Sequence, residues 1–279
     1  MAEARLDPLA QSGLRLPAPA LAVGLLMVAV WLVTVLGAEW IAPYAPTAID
    51  FLAVAKPPSP EHWFGTDQLG RDVLSRVIHG GAHVLAVAPA ATLLGLGLGT
   101  ALGLIAAYAG SWLDELMMRV LDAVMAFPIV ILAMLALTFL GPGTGNVVVV
   151  IGLVFAPLIA RTVRAAALPE VRREYIEAAR LRGEGPLYIL AAELLPNVRG
   201  PLAVEATLRL GYAVFTSATL GFLGLGVQPP TPDWGLMVSE NQALLTSAPW
   251  AVLFPALAIA FVVVAFGLIA DGLKESRAP

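Results

Sequence analysis

The sequence predicts an all-α membrane protein with six transmembrane helices and both termini in the cytoplasm. Hydrophobic residues make up 59% of the 279-residue chain and charged residues 13%, against roughly 45–50% and about 25% in soluble domains. Several uncharged runs reach the roughly 20 apolar residues that a helix needs to cross about 30 Å of hydrocarbon. The basic residues are distributed very unevenly among the segments that separate those runs.

The first run is Leu16 to Ala38, between Arg15 and Glu39. It is longer than the apolar core of about 7–15 residues in a cleaved signal peptide and reads as a retained anchor. The second is Val84 to Gly110. Between Asp122 and Arg161 lies a stretch too long for one span, and Gly141, Pro142, Gly143, Gly145 and Asn146 interrupt it with turn chemistry. It divides into Ala123 to Leu140 and Val147 to about Arg164, the latter long enough if Arg161 and Arg164 extend their head groups to the interface. A fifth run starts near Pro201 and reaches Gly226, and the sixth is Trp250 to Ala270.

With the N-terminus inside, the cytoplasmic segments hold Arg5, Arg15, Arg119, Arg161, Arg164, Arg172, Arg173, Arg180, Arg182, Arg199, Lys274 and Arg277, and the exterior only Lys56, Arg71 and Arg76. That bias follows the positive-inside rule. The exterior parts are then Glu39 to His83, a turn near Gly143, and Val227 to Pro249. In the second run, Gly95, Gly99 and Gly103 recur every fourth residue, a pattern that lets helix backbones approach closely in lipid.

Much chemistry is excluded. Net charge is −4 and the isoelectric point about 5.4, without the basic stripe that a nucleic-acid partner requires. With no cysteine, disulfides, thiolate metal sites and cysteine nucleophiles are ruled out. A phosphate-binding loop needs Lys before Ser or Thr, whereas Lys56 precedes Pro57 and Lys274 precedes Glu275, so the chain does not hydrolyse nucleotides itself. No ionisable group sits at the centre of a span, where ion coupling would place one. Glu205 and Arg209, four residues apart, are expected to pair. His79 and His83 share the spacing of a metal pair, but Gly80 and Gly81 weaken a helix between them and no third ligand is evident.

The segment from Arg161 to Gly200 is charged in an otherwise uncharged chain. Pro169-Glu170 suits a helix start, and Val171, Tyr175 and Ala178 fall on one apolar stripe. Gly183-Glu184-Gly185-Pro186 should break that helix, with a second short helix from Leu187 to Leu195 stopping before Pro196. Ala178, Ala179 and Gly183 leave a flat surface that another protein can approach.

Glu177-Ala178-Ala179, then Gly183, then Leu195-Pro196 resembles the EAA signature of membrane subunits of bacterial ABC importers. The departure is Glu193, where the signature has isoleucine. The stretch from His62 to Arg76, with Phe64, Gly65, Thr66, Asp67, Gly70, Arg71 and Asp72, is similar to the sequence before the second span in the C-type permeases of the dipeptide/oligopeptide/nickel subfamily. On the residues alone it reads as a charged turn from Asp67 to Asp72, with Val73, Leu74 and Val77 opening an amphipathic entry to the membrane. Leu220 to Gly235 is similar to the end of the fifth span and its loop, with Gly224 and Gly226 closing the helix and Pro229, Pro230 and Pro232 stiffening the turn. Many relatives carry a glutamate where this chain has Ser217.

The resemblance implies a type I ABC importer permease in the bacterial inner membrane. Residues 1–83 would be an anchor helix and extracytoplasmic segment, and 84–279 a five-helix core with a coupling segment at 161–200. Implied partners are a second homologous permease, two ATP-binding subunits and an extracytoplasmic substrate-binding protein, with ATP held by the partners and no cofactor in this chain. The ATPase-coupling residues would be Glu177, Ala178, Ala179, Gly183, Leu195 and Pro196, and the exterior motif a support or a contact for the binding protein. Thr216, Ser217 and Thr219 are candidate pathway residues. Peptide is the expected cargo, nickel or another small solute the alternative within the subfamily, and an ion-coupled secondary transporter the alternative outside it.

Overall fold

The computed structural model describes residues 19–275; Arg5, Arg15 and Arg277, three of the charges used for orientation, lie outside the described residues. Helix α1 (Pro19–Leu36) is followed by a single turn, α2 (Ala38–Ile41), and by an irregular segment that leads to residue 72. Then come α3 (Val73–Ala109), α4 (Ser111–Met125), α5 (Ile129–Leu140) and α6 (Thr144–Glu170). The charged segment holds α7 (Glu174–Leu181) and one turn, α8 (Pro186–Tyr188). Helix α9 (Leu195–Phe222), α10 (Trp234–Asn241) and α11 (Trp250–Glu275) complete the fold. No strand occurs among the described residues beyond one isolated bridge between Thr66 and Asp72.

Four of these helices are long and apolar enough to cross a membrane, namely α1, α3, α6 and α11, and the α4–α5 pair counts as a fifth if it is one broken span. Helix α9 is long enough but carries Arg199, Glu205 and Arg209, and it packs against α3, α6, α10 and α11 rather than lipid alone.

Helices α3 and α6 share the most extensive contact. A Cβ at Gly95 would meet Gly152 O at 3.0 Å, one at Gly99 would meet Ile159 Cβ at 2.6 Å, and one at Gly103 would meet Ala160 O at 2.5 Å. Gly97, on the other face, has nothing within 4 Å. The four-residue glycine period is therefore the seam along which α6 lies, as expected for helices that associate by packing in lipid. Helix α1 docks on α11 in the same way, with Gly24 against Ala265 and Ile269 and Gly272 against Leu21. Trp31 meets the edge of Phe266 across that contact at 6.4 Å between centroids.

The second helix begins eleven residues before the expected Val84. Asp72 caps it by accepting from Ser75 N at 2.8 Å, so the entry at Val73, Leu74 and Val77 is helical. Its 37 residues measure about 55 Å, well beyond the hydrocarbon thickness. Gly80 and Gly81 do not interrupt it: both face neighbours, Gly80 against Trp234 and Gly81 against Trp31 and Val35. The boundary expected between residues 83 and 84 falls inside this helix.

The expected straight span from Ala123 to Leu140 is not present. Helix α4 ends at Met125, and α5 leaves it at 84° after Ala126, Phe127 and Pro128. Pro128 has no N–H to continue the ladder, and the amphipathic α4 is unsuited to continuing α5 into hydrocarbon.

Two further expectations are corrected. Pro169-Glu170 ends α6 rather than starting a helix, and the next helix begins at Glu174. The helix after the bend does not stop before Pro196: α8 passes through a π-helical turn at Ile189–Leu194 straight into α9. The π turn shifts the hydrogen-bond register by one residue, which absorbs the N–H that Pro196 lacks.

A Gly103→Val variant is expected to lower the thermal midpoint of the detergent-purified chain by several degrees, corresponding to about 1–3 kcal/mol of overpacking. Gly97→Ala should leave it unchanged. Size-exclusion melting curves of the two variants check the seam.

Candidate functional site

The charged segment hangs from α3 and α6. Helix α6 runs on into it as far as Glu170, whose carboxylate accepts from the Tyr175 hydroxyl at 2.8 Å. Burial, with help from that hydrogen bond, pushes the Tyr175 phenol up to about 12. In α7, Ile176 and Ala179 are completely buried in the core, while Glu177 and Ala178 are exposed. Arg180 lies over the ring of Tyr108 at the end of α3, 4.9 Å from its centroid. A short amphipathic helix is thereby rooted on one side and left open on the other.

Gly183 ends α7 at φ +80, a left-handed conformation that glycine adopts without steric cost. Across this bend Arg182 reaches Glu193 at 3.2 Å and Glu184 at 3.7 Å. Glu193, the departure from the signature, is thus an ion-pair partner rather than a packing residue. Leu195 is half-buried against the core and Pro196 is exposed at the start of α9. Ala178 and Ala179 do not share one flat surface: Ala179 points into the protein. Leu181, at 90% exposure, and Leu187, at 82%, flank the bend instead.

On the opposite side, the motif from Phe64 to Asp72 forms a closed network. Thr66, Asp67, Arg71 and Asp72 are all buried. Asp67 accepts from Arg71 Nε at 2.6 Å and from the backbone N–H groups of Leu69 and Arg71, both at 2.9 Å. Arg71 reaches on to Glu240 in α10 at 2.7 Å, and Arg76 joins the same carboxylate at 3.2 Å. Asp72 accepts from the Ser75 hydroxyl at 2.7 Å and lies 3.0 Å from His62 Nδ1. Gln68 N donates to Asn241 Oδ1 at 3.1 Å. Gly70, at φ +75, lies against Asp50 O where a side chain has no room.

Phe64 stacks on Phe254 at 3.8 Å between centroids, and Trp250 Nε1 donates to Thr66 O at 3.1 Å, next to Gly65. The motif therefore ties the exterior segment to α3, α10 and α11, and its outward side chains are Trp63, Gln68 and Leu69. Sequence reasoning missed Arg76, Glu240 and Asn241. The signal for Glu240 was its position in the exterior segment from Val227 to Pro249, where Asp233 is the only other acid.

Asp233 caps α10 by accepting from Leu236 N at 2.9 Å and lies 3.8 Å from His83 Nε2. Burial holds its carboxyl above the usual carboxylate range, opposed by the facing histidine and by backbone N–H groups. His79 Nδ1 lies 2.8 Å from Ser75 O, so the two histidines point to different partners. Glu205 and Arg209 pair at 2.6 Å in α9.

Thr216 and Ser217 are buried between helices, and Ser217 Oγ has no hydrogen-bond partner among the described residues. Only Thr219 reaches a groove, one of about 390 Å³ lined chiefly by apolar side chains of α9 and α11, including Phe215, Phe222 and Val263. Its hydroxyl is satisfied by Phe215 O at 2.9 Å. The three polar residues are thus not brought together.

Residues 99–276 match the family described as the binding-protein-dependent transport system inner membrane component. The chain is 43% identical over 222 residues to a dipeptide transport system permease protein, DppC, of Alkalihalophilus pseudofirmus, covering 80% of this chain and 73% of that one. It is 41% identical over 255 residues to a glutathione transport system permease protein, GsiD, of Escherichia coli O157:H7, covering 91% and 84%. Among solved structures, an inward-facing MetNI methionine ABC transporter shares the fold with a TM-score of 0.60 at 21% identity, covering 73% of this chain and 97% of the matched one.

Removing Glu240 leaves two buried guanidinium groups facing one carboxylate. Glu240→Ala is expected to cost about 3–5 kcal/mol, as when one partner of a buried ion pair is removed. Limited proteolysis should then cut between Glu39 and Asp72 in the variant before the wild type is touched.

Proposed function

The chain belongs to the family of binding-protein-dependent transport system inner membrane components, and we propose that it is one of two permeases in an importer of short peptides. The observation that carries this reading is the match to that family over residues 99–276, together with 41–43% identity to permeases named for dipeptide and glutathione transport. It is a transport subunit and not an enzyme. ATP is bound and hydrolysed by separate subunits, two per assembly, and an extracytoplasmic protein delivers the peptide. A second, homologous permease completes the pathway.

In this reading α1, α3, α5 with the link that leads into it from α4, α6, α9 and α11 are the six crossings, with both termini in the cytoplasm of a bacterial inner membrane. Helix α1 and the exterior segment are an addition to a five-crossing core. Support for the orientation comes from the basic residues of the segment between α6 and α9, which includes Arg172, Arg173, Arg180 and Arg182.

The exposed side of α7, Glu177 and Ala178, with Gly183 at the bend, is the surface that meets the ATPase. Its buried side, Ile176 and Ala179, is rooted in the core, and Arg180 on Tyr108 ties it to α3. Leu195 and Pro196 lock the far end of the segment onto α9. A force on α7 therefore moves α3, α6 and α9 together as a rigid body, the usual way packed helical units rock between two states. The closed network from Phe64 to Asp72 holds the exterior platform on which the binding protein sits. Thr216, Ser217 and Thr219 stay in the reading as pathway residues that become accessible when α9 moves.

Gly183 tests the coupling. Nothing lies within 4 Å of a Cβ added there, so Gly183→Ala meets only the left-handed backbone cost of about 1–2 kcal/mol, whereas Gly183→Trp also projects a ring into the docking surface. The tryptophan variant should insert normally and abolish dipeptide uptake by proteoliposomes of the assembled complex, and the alanine variant should retain partial uptake. Full uptake by the tryptophan variant, or uptake by wild type without ATP, contradicts the assignment.

A further inference from the structure

Helix α4 has three kinds of flank. Trp112, Leu116 and Val120 recur every fourth residue and are all exposed, at 69%, 48% and 56%. Beside them run Glu115, Arg119 and Asp122, also exposed, with Arg119 and Glu115 paired at 2.6 Å. The third flank holds buried Asp114 and Leu121 against the protein. An open apolar row next to an open ionised row suits neither hydrocarbon nor bulk water. Both rows are satisfied together where headgroups meet acyl chains.

The packing puts α4 at that level. Asp114 pairs with Arg164 through two bonds of 2.5 Å, and Asp122 lies 3.3 Å from Arg161. Eight residues of α4, about 12 Å of helix, thus meet only about 4.5 Å of α6. Helix α4 runs across α6, not along it, in keeping with the 84° turn into α5. Along α6, Arg161 and Arg164 lie about 26 and 30 Å from Thr144, which is the depth of the hydrocarbon layer. Helix α5 contributes about 18 Å and the three-residue link at most about 10 Å, enough together to reach the depth at which Arg161 and Arg164 hold α4.

The geometry points to α4 as an in-plane interfacial helix, its Trp112, Leu116 and Val120 row inserted among the lipids of the leaflet on the α7 side while Glu115, Arg119 and Asp122 remain at headgroup level. Lipid fits this face better than a second protein subunit. A protein surface wide enough to cover the apolar row would also cover the ionised row beside it, and the cores of protein interfaces are depleted of charge. The apolar row continues into exposed Phe127, Ile131 and Leu135, and tryptophan is enriched at membrane–water boundaries. Because Asp114 and Arg164 fasten α4 to α6 at the start of the coupling segment, the leaflet supplies a reference level against which α6 moves.

The chain has no cysteine, so each introduced cysteine is its single labelling site, and the same assembly carrying the cysteine-free chain gives the background from the other subunits. Trp112→Cys, Leu116→Cys and Val120→Cys report on the apolar row, and Glu115→Cys, Arg119→Cys and Asp122→Cys on the ionised row. Ala123→Cys on the apolar flank replaces any apolar-row position whose label abolishes uptake. The full chain, purified with the subunits that accompany it, is placed in phosphatidylcholine–phosphatidylglycerol vesicles and saturated in the presence of oxygen or a water-soluble nickel chelate. The apolar-row labels should favour oxygen, at depths within about 5 Å of one another, and the ionised-row labels should favour nickel. A depth that changes steadily by about 1.5 Å per residue would make α4 a crossing helix and overturn the proposal. Shielding of the apolar row from both reagents would mean a protein cover, and nickel access at all six sites a helix in water; either result also overturns it.

Discussion

Close approach of α3 and α6 along Gly95, Gly99 and Gly103 is the contact on which the rest of the molecule hangs. Lipid tails are as apolar as leucine, so burying leucine between two membrane helices gains little; what remains is packing, and packing is densest where side chains do not separate the backbones. Both helices are longer than a hydrocarbon layer needs, and they reach opposite ends of the bundle. Helix α3 carries Asp72, Ser75 and Arg76 to the exterior network, and α6 carries Glu170 to the coupling segment, where Tyr108 at the other end of α3 also meets it. One seam therefore positions two surfaces at opposite ends of the helix bundle. The seam leaves little slack, since Gly95, Gly99 and Gly103 face the backbone of α6 at Gly152 O, Ala156 O and Ala160 O.

The scarce charges are arranged by depth. Arg71, Arg76, Asp67 and Glu240 are drawn together at the exterior end, and Arg164 with Asp114 at the other. Both clusters balance their charge, and the first carries further hydrogen bonds, from the Leu69 and Arg71 N–H groups to Asp67 and from Arg76 to Pro46 O, which favours the burial of ions. Pair geometry of this kind contributes more to a unique arrangement than to stability, since two long elements are held in one register. The exterior network accordingly fixes which turn of α10 faces which turn of α3, while Asp114 and Arg164 fix the crossing point of α4.

Features written in local chemistry were legible in the sequence. The glycine period foretold a seam, Gly183 marked a break, and Glu205 and Arg209 were at pairing distance on one helix. Features that depend on distant partners were not. Nothing near Arg71 points to Glu240, 169 residues away. Gly80 and Gly81 read as helix weakeners because the tryptophans that fill the space beside them come from α1 and α10. The proline at 196 read as a stop because a π turn, whose only local mark is the proline it accommodates, cannot be foreseen by counting residues. The bend after Met125 was hidden by apolarity that continues through it, although the charged row of α4 differs from the uncharged α5.

The two alanines of the signature illustrate how one residue type serves opposed purposes. Ala179 is completely buried, and a larger side chain there would lift α7 from the core and separate Arg180 from Tyr108. Ala178 is exposed, so its small size matters to whatever approaches from outside. The intervening geometry is that of a helix, in which successive residues differ by about 100° and cannot share a face. The adjacent alanines therefore face different ways, one rooting α7 in the core and the other leaving its surface open, and Gly183 lets the chain turn back before the helix extends beyond the reach of its root.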